Sequence, residues 1–205
     1  MFDLHLDAQV DNWRLFNARA KDPRFKDTKD FILERDNHQC QFCGFSAKSH
    51  MEVVNLNGNY LDNKTTNMVT TCSICQQCHF VDMVGNYENS GGLIVYLPEI
   101  SQGQLNALAH VLFAAKHLQT SHQKAAKEIV STIKLRSKIV EKSFAKGASS
   151  PSLLGRLIID TPVKDKNKLY DIIRKKLRLL PDADAFRAQY LDWSKENSEQ
   201  LEGTK

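Results

Sequence analysis

The sequence predicts an α+β fold, with a small cysteine-rich module over residues 1–100 and a mainly α-helical region over residues 101–205. Four of the five cysteines lie in two C-x-x-C pairs within the first half. Short valine-rich segments bounded by Gly and Asn predict strands there. Beyond Pro98, apolar residues recur at the three- and four-residue spacing of helices.

The two cysteine pairs, Cys40/Cys43 and Cys72/Cys75, have the spacing of a closed zinc site. Each C-x-x-C places two thiolates on one tight turn, and two such turns complete a tetrahedron with Zn–S distances of about 2.3 Å. Gly44 provides the positive φ that the first turn is expected to need. The alternative is two unrelated redox or buried pairs, which the spacing favours less. Because four thiolates leave no open coordination position, we predict one structural Zn²⁺ ion.

A fifth thiol, Cys78, and the adjacent His79 are further candidate ligands. A helix that opens at Ser73 would place Cys78 one turn beyond Cys75, where one ion cannot easily reach all three thiols. We therefore assign Cys72 and Cys75 and expect Cys78 to be a packed side chain. The odd cysteine, the metal site and the lack of an N-terminal apolar signal segment together predict a reducing, cytoplasmic compartment.

The individual elements follow from periodicity and from turn residues. In the first half we predict helices over Ala8–Ala20 and Thr28–Asp36 and strands over Met51–Leu56 and Leu93–Leu97. In the second half, Ser101 with Gln104 three residues later forms a capping box that begins a helix. Further helices are predicted over 121–144, 152–159, 164–180 and 184–193, and residues 201–205 are predicted to be disordered.

The net charge of +4 is unevenly distributed. Residues 1–100 carry 9 basic and 13 acidic side chains, residues 101–180 carry 16 and 5, and residues 181–205 carry 3 and 6. The central +11 segment suits nucleic acid, an anionic membrane surface or an acidic protein partner, and a plain solvated helix face is the alternative. No apolar run approaches the roughly 18 residues that a transmembrane helix needs.

The sequence around the cysteines resembles the zinc-bearing module of HNH endonucleases over Leu33–Gly44, Met51–Val54 and Asn67–Cys75. The resemblance implies a zinc-bound ββα unit. In that family a His at the end of the first strand is the general base, a residue beside it helps bind the catalytic metal, and a second His follows the last cysteine.

Those three positions hold Val54, Asn55 and Gln76. Valine cannot bind a hard cation, and an amide cannot take a proton from water near pH 7. The nearest possible substitutes are His50, His79, Asp62 and Asp82, which leave the metal-binding position on the strand unfilled. We therefore expect a scaffold without nuclease activity, in which Asn67 holds the loop before the second cysteine pair.

The stretch Gly91–Gln102, between the zinc module and the basic helices, extends the resemblance to essentially the whole chain. The combination resembles the IcmJ (DotN) family of Dot/Icm type IVB secretion components. The resemblance implies a non-enzymatic cytoplasmic subunit, peripheral at the inner membrane, that serves effector delivery. Its implied partners are the C-terminal extension of the coupling ATPase DotL, with DotM and the IcmS–IcmW adaptor nearby.

The competing functional class is an HNH-type zinc nuclease or a nucleic-acid-binding protein. A nucleic-acid groove would interleave aromatic residues with Lys and Arg. Between Lys116 and Arg178 the aromatic residues are Phe144 and Tyr170 alone. This sparse placement makes nucleic acid the less favoured partner.

Overall fold

The computed structural model describes residues 1–118 and 120–202, with the backbone alone at 197–202. It is a mixed α+β structure, as the sequence predicts, and its strands form two small antiparallel sheets of two strands each. In chain order the elements of the first half are α1 (Asn12–Ala20), α2 (Lys26–Arg35), β1 (Met51–Asn55), β2 (Met68–Cys72), α3 (Ser73–Gln76) and β3 (Gly92–Tyr96). The second half contains α4 (Gln102–His117), α5 (Gln123–Leu135), α6 (Ser137–Ser143), α7 (Pro151–Asp160), α8 (Val163–Lys176), β4 (Leu177–Pro181) and α9 (Arg187–Glu202).

The first hairpin joins β1 to β2, with Val53 opposite Thr70. The predicted strand at 51–56 is therefore confirmed, but the helix predicted from Ala8 begins only at Asn12. Leu4, Leu6 and Ala8 are buried alternately, which is the pattern of an extended segment with one face on the core. This alternation spans only three apolar residues, and Ala8 also fits the apolar stripe of the helix that follows, so the periodicity predicts a helix there.

The second sheet pairs β3 with β4, which lie more than eighty residues apart in the chain, with Ile94 opposite Leu179. The predicted strand at 93–97 is confirmed within one residue, but the helix predicted over 164–180 ends at Lys176 and gives way to β4. All five residues of β4 are buried. A short strand that is buried on both faces lacks the alternation of a half-buried strand, so periodicity does not separate Leu177–Pro181 from the last turn of a helix.

The long helix predicted over 121–144 is two helices, α5 and α6, which meet at Arg136. The carbonyl of Arg136 accepts a hydrogen bond from the backbone N–H of Tyr96 at 3.4 Å, and its guanidinium donates to Glu99 at 2.7 Å. Through these hydrogen bonds of Arg136, the junction between α5 and α6 is held against the end of β3. Helix α7 agrees with the prediction within one residue at each end.

The last helix, α9, begins at Arg187 and runs past Trp193 to Glu202. The predicted disorder of residues 201–205 is wrong for 201 and 202, which belong to this helix, and residues 203–205 lie outside the described residues.

The core runs through both halves of the chain, with Phe80, Phe113 and Phe186 among its fully buried side chains. Helix α7 packs closely on the backbone at Asp82, where Gly155 leaves no room for a side chain. The division into residues 1–100 and 101–205 stays a prediction. In the described ranges, no helix is long and apolar enough to cross a membrane.

Candidate metal centre

Four thiols meet where the end of β2 and the start of α3 face the turn after α2. The Sγ atoms of Cys40, Cys43, Cys72 and Cys75 all lie within 4.8 Å of one another. The separation between Cys43 and Cys72 is 3.7 Å. Zn–S distances of about 2.3 Å place the corners of a tetrahedron about 3.8 Å apart. The structure thus brings together the four predicted ligands, which could hold one metal ion and fit zinc.

Backbone hydrogen bonds shape the first cysteine turn. The N–H of Cys40 donates to the carbonyl of Phe45 at 2.8 Å, and the N–H of Gly44 donates to the carbonyl of Cys40 at 2.9 Å. Gly44 has a φ of +80°, as the sequence predicts. A further bond from the N–H of Gln41 to the carbonyl of Thr70, at 2.9 Å, holds this turn against β2.

The second pair is positioned by the strand-to-helix junction. Cys72 is the last residue of β2 and the N-cap of α3, and Cys75 lies within α3. Both side chains are fully buried, and burial raises the pKa of each thiol well above its ordinary value, with neighbouring thiols contributing. A bound cation would displace these protons and hold the four sulfurs as thiolates.

His110, on α4, contacts the sulfur of Cys72. Its Nε2 lies 3.3 Å from that Sγ, and its Nδ1 lies 3.0 Å from the hydroxyl of Tyr190. The ring stacks on Phe45 at a centroid distance of 3.8 Å. Burial lowers the pKa of His110 to about 4, so the imidazole is neutral with a single proton. When Nδ1 accepts from Tyr190, that proton is on Nε2 and is donated to sulfur.

Asn106, one turn earlier on α4, makes the matching contact to the second pair. Its Nδ2 donates to the Sγ of Cys75 at 3.2 Å, and its Oδ1 accepts from Gln102 at 2.8 Å. Gln102 then bonds both the carbonyl and the N–H of Leu179 in β4, at 2.9 and 2.8 Å. A continuous chain of hydrogen bonds therefore runs from the thiol cluster to the β3–β4 sheet.

These supporting residues were not among the predicted site residues, although the sequence of α4 carries a signal for them. Gln102, Asn106 and His110 are spaced four residues apart on a helix with a largely apolar buried side, so they form a polar stripe on one face. Buried polar side chains need hydrogen-bond partners, so such a stripe predicts polar groups on the surface that it contacts. Here those partners are two cysteine sulfurs and a strand backbone.

Comparison with known proteins identifies the family. No known protein-family model matches the chain. It is 41% identical to the Type 4 apparatus protein DotN of Legionella pneumophila over 199 residues, which cover 97% of this chain and 92% of the relative. The chain belongs to the DotN family. The resemblance to the IcmJ (DotN) family that was inferred from the sequence is thereby confirmed.

In this DotN family member, Cys78 and His79 lie beside the metal centre and outside the four-thiol group. Cys78 is fully buried, and burial raises its pKa to about 12, so it remains a protonated thiol. Its Sγ lies 3.8 Å from Asn106 Nδ2. The ring of His79 packs on Phe42, and among the described residues its Nε2 has no hydrogen-bond partner.

In this structure the side chains are buried at the three positions that the predicted HNH resemblance aligns with catalytic residues. Val54 and Asn55 are fully buried, and Gln76 is 7% exposed. Asn55 Oδ1 accepts from Arg19 at 2.6 Å, while its Nδ2 donates to the carbonyls of Asn59 and Asp62 at 2.8 and 2.9 Å. Its amide therefore holds the loop after β1.

The possible substitutes do not come together as a second site. His50 Nε2 lies 2.9 Å from Asp192 Oδ2 on α9, and within the described ranges the four cysteines form the one group able to hold a metal. Asn67 has the predicted loop-holding role, since its side-chain amide donates to Asn57 at 2.9 Å and to the carbonyl of Asp62 at 3.1 Å.

Proposed function

We propose that this protein is a non-enzymatic adaptor subunit of the coupling protein complex in a Dot/Icm type IVB secretion system, where it binds the C-terminal extension of the coupling ATPase DotL. The observation that carries the proposal is the 41% identity to a type 4 apparatus protein over 97% of the chain. Identity of this extent makes a shared fold and a shared place in an assembly the simplest interpretation.

The thiol cluster supports the role of a scaffold. We propose one structural Zn²⁺ ion held by Cys40, Cys43, Cys72 and Cys75. The run β1–β2–α3 around it has the ββα order of an HNH-like module. With four sulfur ligands the ion would have no open position for water or substrate, so it would stabilise the fold without catalysing a reaction.

The chemistry of the HNH-like positions supports the absence of nuclease activity. Val54 offers no ligand atom, and both polar atoms of the Asn55 amide are already bonded to protein groups. A hydrolytic site needs a positioned metal and a base that can take a proton near pH 7. These side chains supply neither.

Nucleic-acid binding is the second candidate, because residues 101–180 carry a charge of +11. The aromatic residues of this region do not support it. The hydroxyl of Tyr170 bonds Asp7 at 2.5 Å, and Phe144 lines an apolar groove, which differs from the interleaved basic and aromatic surface on which nucleic-acid bases stack. An acidic protein surface suits the basic helices better.

The proposed position in the cell follows from the same assembly. We place the protein in the bacterial cytoplasm, peripheral at the inner membrane through its partners, with DotM and the IcmS–IcmW adaptor nearby. Co-purification from the native bacterium tests this placement. The tagged full-length chain should recover wild-type DotL, whereas it should not recover a DotL variant that lacks the C-terminal extension. Equal recovery of both DotL forms, or of neither, would contradict the proposal.

A further inference from the structure

Helices α6, α7 and α8 enclose an open apolar groove of about 370 Å³. Its floor is formed by side chains that are nearly or fully buried, and its sides by residues that each helix leaves partly in solvent. The floor residues are Val140, Leu154, Ile173 and Leu177.

Three large apolar side chains line the opening of this groove. Phe144, Leu153 and Leu157 are 47%, 49% and 49% exposed. Leu153 and Leu157 are one turn apart on α7 and form a ridge along the groove. Apolar side chains that are grouped in this way, and not scattered singly, are characteristic of a binding site.

The surface around the groove is strongly basic. Residues 137–176, which span α6 to α8, contain ten Lys or Arg residues and four Asp or Glu residues, a net charge of +6. Of the four acids, Glu141 bonds the hydroxyl of Ser149 at 2.5 Å. Lys142, Lys146 and Arg156 are exposed, and the part of the chain that the structure describes has no carboxylate within 4 Å of their charged groups.

We propose that this groove binds an acidic amphipathic helix of a partner protein. Apolar side chains on one face of that helix would contact Phe144, Leu153 and Leu157, and its carboxylates would face Lys142, Lys146 and Arg156. We take the partner to be a helix from the coupling ATPase extension, and only this identity rests on the proposed function. The site on this chain follows from its own shape and charge.

The concave shape favours a helix over an anionic membrane surface. The apolar residues line a channel with a buried floor and do not project from a convex tip. A helix can place side chains into this channel, whereas a bilayer resting on its edges would leave the space above Ile173 and Leu154 unfilled. Unfilled apolar space forfeits the packing that makes burial favourable.

The test uses the full chain and a labelled designed peptide of about 20 residues, with leucines on one helical face and glutamates elsewhere. A matched peptide has lysine in place of glutamate. Binding is followed by fluorescence anisotropy. The acidic peptide should bind and the basic peptide should not. Leu157→Glu and, separately, Arg156→Glu should each weaken binding about tenfold or more, as expected for a central contact.

Two control variants match these changes outside the groove. Val163→Glu alters an exposed valine at the start of α8, and Lys124→Glu alters an exposed lysine on α5; neither residue lines the groove. Both should keep the wild-type affinity within about twofold. Thermal unfolding of every variant shows that the fold is intact, and Leu153→Glu replaces Leu157→Glu if the latter unfolds.

The same variants are then titrated with the coupling ATPase extension and with anionic phospholipid vesicles. If wild-type chain binds the extension and Leu157→Glu binds it equally well, the proposed function stands and the groove assignment is wrong. If the acidic peptide binds in the groove while the extension does not bind at all, the assignment stands and the proposed function fails. Vesicle binding that Leu157→Glu abolishes, with no peptide binding, would overturn the inference in favour of a membrane surface.

Discussion

The Nε2 atom of His110 lies 3.3 Å from the Sγ atom of Cys72, so a helix of the second half contacts a thiol of the candidate metal centre in the first. The imidazole is held from the other side by Tyr190 of α9. An N–H donor offsets part of the negative charge that four thiolates place on the site. The metal centre is therefore supported by residues more than thirty positions beyond its last ligand.

We expect His110→Phe to lower zinc affinity about 10- to 100-fold, because it keeps an aromatic ring beside Phe45 but removes the N–H donor to sulfur. Competition with a chromogenic chelator measures the affinity. His117→Phe is the matched control, since His117 lies on the same helix and its Nε2 contacts the carbonyl of Ala183. Equal zinc affinity in wild type and His110→Phe would show that the contact does not support the site.

We expect the purified protein to contain about one zinc ion per chain, and Cys43→Ser or Cys75→Ser to lose it and to unfold the N-terminal half. Three sulfurs bind zinc more weakly than four, and the binding free energy of structural zinc contributes to folding. Elemental analysis and circular dichroism measure both effects. Cys78→Ser should keep the metal, because Cys78 lies outside the four-thiol group. Metal loss in Cys78→Ser as severe as in Cys75→Ser would overturn the ligand assignment.

The cysteine cluster could be predicted from the sequence because its information is local. Two C-x-x-C turns each position a pair of sulfurs, and Gly44 marks the conformation of the first turn. The supporting contacts of Asn106 and His110 depend on how α4 packs against α3, which is long-range information. Sequence spacing shows that these residues share a face but does not show what the face meets.

Strand β4 could not be predicted for a similar reason. Leu177 follows a helix without a Gly or Pro break, and the strand LRLLP contains Arg178 beside three leucines, so it shows no clear alternation. Pairing with β3, more than eighty residues earlier, determines that this segment is extended. Tertiary hydrogen bonding overrides the local helical preference here.

We expect the free energy of unfolding to fall between about pH 6.5 and 4, in part through His79. Burial lowers the pKa of His79 to about 4 from an ordinary value of 6.5. In this window the unfolded chain binds more protons, so stability decreases as pH falls, by up to about 1.4 kcal/mol per pH unit for one group. His79→Phe, which keeps the packing on Phe42, should reduce the slope. Urea unfolding of both proteins at pH 7 and pH 5 measures the change in unfolding free energy between the two pH values. An identical change in wild type and His79→Phe would show that His79 does not contribute to the pH dependence.

We expect no nuclease activity. Incubation with plasmid or single-stranded DNA and Mg²⁺, Mn²⁺ or Ni²⁺ should give no cleavage above a metal-free control, because Val54, Asn55 and Gln76 stand where a metal and a base are needed. His79→Ala and His50→Ala serve as matched variants, since these are the nearest histidines to the HNH-like positions. Cleavage that disappears in either variant would identify a working substitute base and contradict the scaffold role.

The most direct test of the adaptor role is a titration of the full chain with the DotL C-terminal extension and, in parallel, with duplex DNA at about 50 and 200 mM salt. Apolar core contacts are screened little by salt, whereas DNA affinity falls by orders of magnitude over this range when several phosphates are contacted. We predict that binding of the extension persists at the higher salt and that DNA binding is weak or lost. Salt-resistant, sequence-specific DNA affinity without binding of the extension would contradict the account.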